Sequence, residues 1–175
     1  MIPRAETRAQ RLLDTHDATT VPVDVEWLAK ESGAEVRYRS LDGDVSGMLV
    51  RTDDVVVIGV DRSQAKHRQR FTIAHELGHL LMHPGRSVIV EHLRRPARVN
   101  FRDARSGLAT DREEIEANQF AAGLLMPRRF LENDYEGMAE RFDDDDVPAR
   151  LARKYQVSEQ AMRFRLMNLA FIDPT

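Results

Sequence analysis

The spacing of apolar and polar residues changes character several times along the chain, and each change predicts an element. Residues 4–15 repeat at helical period as a polar amphipathic helix. Residues 23–32 do so again, with Val25, Leu28 and Ala29 on one face and Gly33 as the stop. From 36 to 60 the pattern turns strand-like. Val36-Arg37-Tyr38 alternates, Gly47-Met48-Leu49-Val50 is an apolar run, Thr52-Asp53-Asp54 is a turn signal, and the stretch from Val55 to Val60 is strongly β-branched. A small antiparallel sheet over about 36–60 fits these runs best. Helical period returns over about 62–83, where Phe71, His75, His79 and Met82 share one side while Ile73, Leu77, Leu80 and Leu81 share the opposite side. A helix that is apolar nearly all round runs through the core. Asp61 and Ser63 are its cap candidates, and His83-Pro84-Gly85 ends it. Thr110-Asp111-Arg112-Glu113 has the form of a capping box at the head of another helix, about 111–126. From Val147 to Ile172 the apolar spacing reads as helix, tight turn, helix, with Ser158 capping the second.

These elements make the fold class α+β. A chain of 175 residues, 42% of them hydrophobic, can bury one sizeable core and a small appended lobe. The expected organisation is a main domain over 1–140 and a C-terminal helical hairpin over 147–175 packed on it. There are no cysteines, which excludes disulfides and thiolate metal sites. The net charge of −3 is too mild to announce a nucleic-acid partner. The amino terminus has no apolar signal region, and no run of eighteen apolar residues occurs, so the expectation is a cytoplasmic protein without a membrane partner.

The chemistry concentrates in His75-Glu76-Leu77-Gly78-His79. Two imidazoles four residues apart on a helix stack on one face and can hold one metal ion, with the intervening glutamate beside it. Zinc held by two histidines and a distant carboxylate keeps a position open for water, which reads as a metalloprotease. Burial strengthens this reading, because each unpaired polar group in a core costs about 1–3 kcal/mol and a metal supplies partners. The third ligand has three candidates. Glu113 has a capping role, Glu116 projects with Arg112, Gln119 and Gly123 toward solvent, and Glu114 lies near the centre of an apolar arc containing Ala117, Ala121, Leu124 and Leu125. Glu114 is therefore preferred, with a buried pair to Arg70 as the competing explanation. Asn118, one turn on, is placed to hydrogen-bond a ligand. His83 fits a helix C-terminus better than a third nitrogen ligand.

The chain resembles the ImmA/IrrE family of zinc metallopeptidases. The resemblance rests on the run from Arg70 to His83, on Glu114-Ile115-Glu116-Ala117-Asn118-Gln119-Phe120-Ala121-Ala122, and on Leu124-Leu125-Met126-Pro127. Less specific support comes from Pro22-Val23-Asp24-Val25, Leu28-Ala29 and Ser46-Gly47. It implies a zincin-like core in which His75, His79 and Glu114 bind Zn2+ and Glu76 is the general base. It also implies a bacterial role in transcription regulation or stress response, through cleavage or inactivation of a helix-turn-helix repressor. In peptidases of this type an edge strand often aligns the substrate backbone, which makes Ser46, Gly47, Met48 and Leu49, with Val50, candidate substrate-binding residues. His92, Tyr38 and Tyr135 are candidate oxyanion donors. The segment 84–109, rich in arginine, lies in sequence between the two ligand-bearing helices and is read as a solvated basic loop. The alternative function is a non-catalytic, zinc-containing regulator that binds a repressor, a toxin or DNA. For DNA, Arg163 and Arg165 of the terminal hairpin would be the contacts, opposed by the solvated run Asp143-Asp144-Asp145-Asp146.

Overall fold

A computed structural model describes residues 4–41, 45–84, 88–91 (backbone only) and 111–173. Helix α1 (Arg4–Thr15) buries Ala5, Ala9 and Leu13, one residue per turn. Helix α2 (Val25–Glu31) starts where the Asp24 side chain accepts from the Trp27 N–H, and the chain leaves it through Gly33 at φ +85°. Three strands follow, β1 (Ala34–Arg39), β2 (Gly47–Arg51) and β3 (Val56–Asp61), then helix α3 (Lys66–Met82) and strand β4 (Val88–Glu91). Helices α4 (Asp111–Leu125), α5 (Arg128–Ala139), α6 (Val147–Tyr155) and α7 (Glu159–Asn168) complete the chain. The fold is α+β.

The sheet is mixed, which corrects the antiparallel expectation. Its order is β1-β3-β2-β4, and β1 runs parallel to β3, Ala34 opposite Val56 through Arg39 opposite Asp61. Directions alternate over the first three strands, but β3 folds back into the slot between β1 and β2, and β4, antiparallel to β2, runs the same way as β3. Strand β2 thus lies within the crossover that a parallel pair requires. The β-branched run takes a central place in the sheet and buries one face completely at Ile58 and Val60, while Val57 on the other face is half-buried. The β2–β3 connection is tied by Thr52, whose N–H donates to the Val55 carbonyl at 2.9 Å.

Helix α3 runs through the core, with residues 72–79 all buried. Its predicted cap is not used. The helix begins at Lys66 after Ala65, which makes no side-chain cap bond, while Asp61 closes the preceding turn by accepting from the Ser63 N–H, the Ser63 hydroxyl and the Gln64 amide. Those bonds hold the Asp61 carboxyl below its ordinary range, against a smaller opposing effect of burial. The Thr110 capping box lies outside the described residues. Helix α5 is not among the predicted elements, since it buries only Leu131 and its apolar face is narrow.

The C-terminal pair joins the same apolar cluster through Leu151, Tyr155, Met162 and Leu166. Gln156 at φ 55° makes the turn, and Ser158 caps α7 by accepting from the Ala161 N–H. Among the described residues, no helix is long and apolar enough to cross a membrane.

Candidate metal centre

Two glycines decide how closely the surrounding elements approach α3. A Cβ at Gly78 would lie 3.1 Å from Phe120 Cδ1 and 3.2 and 3.3 Å from the Ala117 Cα and carbonyl oxygen, so the absent side chain lets α4 lie against α3. A Cβ at Gly47 would collide with Thr72 Cγ2 and stand 3.1 Å from Glu76 Oε1. The sheet therefore meets α3 at the turn that carries Glu76, which is fully buried.

The α3–α4 contact brings His75, His79 and Glu114 together. The two imidazoles face each other at 2.9 Å between Nε2 atoms; Glu114 Oε2 is 3.3 Å from His75 Nε2 and Glu114 Oε1 is 3.3 Å from His79 Nε2. Both rings are fully buried, and the Glu114 side chain is one-third exposed. Burial pushes the Glu114 carboxyl up, but hydrogen bonds from His75 and His79 and their charge outweigh it and hold the group at about 2. One ligand atom from each residue lies within 4.8 Å of the others, so the three could hold a metal ion. The fit is good: bonds of about 2.0–2.1 Å in a tetrahedral site place ligand atoms roughly 3.3 Å apart. Three acceptor-capable groups converging in a buried place are also the donor set a cation needs.

Around this cluster, His75 Nδ1 lies 3.1 Å from Asn118 Oδ1, and Asn118 is otherwise exposed. His79 Nδ1 lies 3.2 Å from His83 Nδ1, and His83 Nε2 lies 3.0 Å from Glu116 Oε2. Glu116 is thus not a solvent-side residue as the helical projection suggested. The hydrogen bond to His83 lowers its carboxyl pKa, burial opposes this, and Arg112, donating to Oε1 at 3.1 Å, lowers it further. Gly123, projected to the same side, is buried against Glu6 and Ala9 of α1. Arg51, at the end of β2, donates to the His79 and His83 carbonyls at 2.9 and 3.0 Å, a cation suited to the helix C-terminus. Sequence reasoning missed both Arg51 and the His83–Glu116 link. The available signal was spacing, since His83 follows His79 by one turn.

Several other expectations are redirected. Arg70 donates to the Val23 carbonyl at 2.9 Å and does not pair with Glu114. The Tyr38 hydroxyl donates to Glu26 and that of Tyr135 to the Phe171 carbonyl at 3.0 Å, so both candidate oxyanion donors are engaged away from the cluster. Burial raises the pKa of both phenols, joined at Tyr38 by the bond to Glu26. His92 and nearly all of the basic segment 84–109 lie outside the described residues. Ser46, Gly47, Met48, Leu49 and Val50 do not form an edge: β2 pairs with β3 on one side and β4 on the other, with Gly47 opposite both Val60 and Glu91. Its backbone hydrogen-bonding groups are consumed in the sheet, and the outer position falls to β4. Arg165 is buried, donating to the Met126 carbonyl at 3.1 Å and to Glu6 at 2.5 Å, which removes it as a DNA contact.

Residues 29–167 match a peptidase family described as the IrrE N-terminal-like domain. The protein called uncharacterized immunity region protein 2 of Bacillus phage phi105 is 32% identical over 108 residues, covering 59% of this chain and 60% of that protein. A solved structure of a Mycobacterium tuberculosis transcriptional regulator aligns with a TM-score of 0.57 at 18% identity, covering 93% of this chain and 46% of that one. This chain therefore matches 60% of the phage protein's length and 46% of the mycobacterial chain, with which it shares its fold.

Proposed function

The chain belongs to the peptidase family of the IrrE N-terminal-like domain, and from that premise we propose that it is a zinc-dependent, site-specific endopeptidase. Its substrate would be a regulatory protein, a helix-turn-helix repressor above all, met in the cytoplasm. The observation that carries this reading is the convergence of His75, His79 and Glu114 from two helices, with the buried Glu76 carboxylate next to His75 in sequence. The two imidazoles and one carboxylate match the donor preference of zinc and leave a coordination position open. When bound, zinc lowers the pKa of water and polarises a carbonyl oxygen. Glu76 takes the proton from the attacking water and delivers it to the leaving amine. Asn118 orients the His75 ring by accepting from its Nδ1–H. The substrate backbone lies along the outer edge of the sheet at β4, with residues 46–49 forming the wall behind it near Glu76. A regulatory substrate is favoured by the kinship with a phage immunity region protein.

The test is metal content of the wild type, Glu76→Gln and Glu114→Ala, each then incubated with repressors encoded beside its gene. One zinc per chain in the wild type and Glu76→Gln but none in Glu114→Ala, with partner cleavage lost in both variants, is the expected result. Partner inactivation by Glu76→Gln equal to that of the wild type, without cleavage, would instead make the protein a binding regulator.

A further inference from the structure

The two histidines that flank Glu76 are backed by different chemistry. At His75 Nδ1 stands a neutral amide, Asn118. Behind His79 runs a chain of three groups: His83 at 3.2 Å, Glu116 at 3.0 Å from His83, and Arg112 at 3.1 Å from Glu116. His79 is fully buried, His83 is 9% exposed, and the Glu116 side chain is 19% exposed, whereas Arg112 lies almost wholly in solvent.

Proton counting along this chain leaves one arrangement. A neutral imidazole carries its single proton on one nitrogen and accepts on the other. His79 Nε2 faces Glu114 and His75; to serve as a ligand it must be bare, which puts the proton of His79 on Nδ1. The Nδ1–H of His79 then donates to His83 Nδ1, which must be bare in turn. The proton of His83 is thereby left on Nε2, facing the Glu116 carboxylate, which accepts it. Each donor meets an acceptor, and the chain ends on a negative charge.

We propose that His83 and Glu116 are positioning residues for His79. Together they fix its tautomer and ring orientation and, through the terminal carboxylate, make its Nε2 a stronger donor to the cation than that of His75. This rests on reading His75, His79 and Glu114 as the metal site. The consequence is an asymmetric centre in which metal retention depends on a residue one turn beyond the five-residue motif and on a glutamate two residues past the ligand Glu114.

The experiment measures zinc dissociation constants of the full chain by chelator competition, together with 15N chemical shifts of the histidine rings in the zinc-loaded wild type. Groups supporting a metal-bound histidine typically contribute 10–100-fold in affinity. His83→Phe should therefore weaken zinc binding by about that factor, Glu116→Gln by roughly 10-fold, and the exposed Arg112→Ala by less than about threefold. In the wild type, His79 should be protonated at Nδ1 and His83 at Nε2. Unchanged affinity in both His83→Phe and Glu116→Gln, or a His83 ring protonated at Nδ1, would overturn the proposal while leaving the metal site standing. Should His83→Phe not fold, Glu116→Gln and the wild-type shifts decide. Failure of the underlying site reads differently: the wild type binds no zinc, or Glu114→Ala binds it as tightly.

Discussion

The helix pair α3–α4 and the helix pair α6–α7 both bury polar side chains in one continuous core, and they do so in opposite ways. In the C-terminal pair the buried side chains of Arg165 and Tyr155 close on protein partners of complementary kind. Arg165 donates to Glu6 and the Met126 carbonyl, and the Tyr155 hydroxyl donates to Asp134 at 2.7 Å, where Lys154 also sits at 2.5 Å. In the α3–α4 pair the imidazole Nε2 atoms of His75 and His79 and the carboxylate oxygens of Glu114 point at one another, all able to accept. The first arrangement is a set of finished contacts that stabilise a fold; the second has the composition of a cation site. The same distinction separates the arginines: Arg165 looks like a DNA contact in sequence and serves the core in the structure.

The sharpest way to break the comparison is to remove one member from each pair. Arg165→Ala leaves the Glu6 carboxylate and the Met126 carbonyl without their partner, and loss of one member of a buried ion pair costs about 3–5 kcal/mol. For a chain of this size that is a fall in Tm of about 6–20 °C. Because the damage is remote from α3, zinc should still raise the Tm of this variant by as much as it raises the wild type's. Glu114→Ala should behave inversely, with the zinc-induced rise abolished. A zinc response lost in Arg165→Ala would mean that the two helix pairs do not respond independently.

Next in size is Gly78→Val. The added Cβ meets backbone atoms of Ala117 as well as the Phe120 ring, and backbone cannot swing aside. The helices must separate, at a cost of about 1–3 kcal/mol for overpacking. Since Ala117 lies three residues from Glu114, the separation also draws the carboxylate away from both rings. Calorimetric stability and zinc affinity should fall together in this variant, unlike either of the preceding ones.

Much of this was readable in the sequence, for identifiable reasons. Helix α3 follows from a long stretch that is apolar nearly all round and stops at His83-Pro84-Gly85, α4 from a broad apolar arc, and the approach of Glu114 to both rings, rather than Glu113 or Glu116, follows from its place on that arc. What stayed hidden depends on contacts between segments distant in sequence. Periodicity gives strands but not their neighbours, so β3 between β1 and β2, and β4 covering β2, required the assembled sheet. A helical wheel sorts residues by angle alone. Glu116 falls on its polar side yet is drawn inward by His83, which belongs to another helix terminus, and Gly123 falls beside it yet is covered by α1. Asp61 has the residue type and position of a cap, but the turn through Ser63 and Gln64 competes for the same carboxylate oxygens.

The smallest effects sharpen the contrast, because two substitutions can each delete a single side-chain hydrogen bond. Tyr155→Phe removes the bond to the Asp134 carboxylate while Asp134 keeps Lys154, so the loss is about 1.5 kcal/mol, the low end for a hydrogen bond to a charged group. Burial first, and then the bond to Asp134, push the Tyr155 phenol well above its ordinary range, so it is a neutral donor around neutral pH and this cost does not vary there. Asn118→Ala removes the bond to His75 from an exposed position, and unfolding of the metal-free protein should shift by no more than about 0.5 kcal/mol. Its effect should instead appear in zinc affinity, weakened about 10-fold as the His75 ring loses the acceptor that fixes its Nδ1–H. Denaturant unfolding and chelator competition on the two variants give a crossed result if the helix pairs differ as described. An Asn118→Ala protein that loses stability but binds zinc unchanged would place Asn118 with Tyr155 among the finished contacts of the fold.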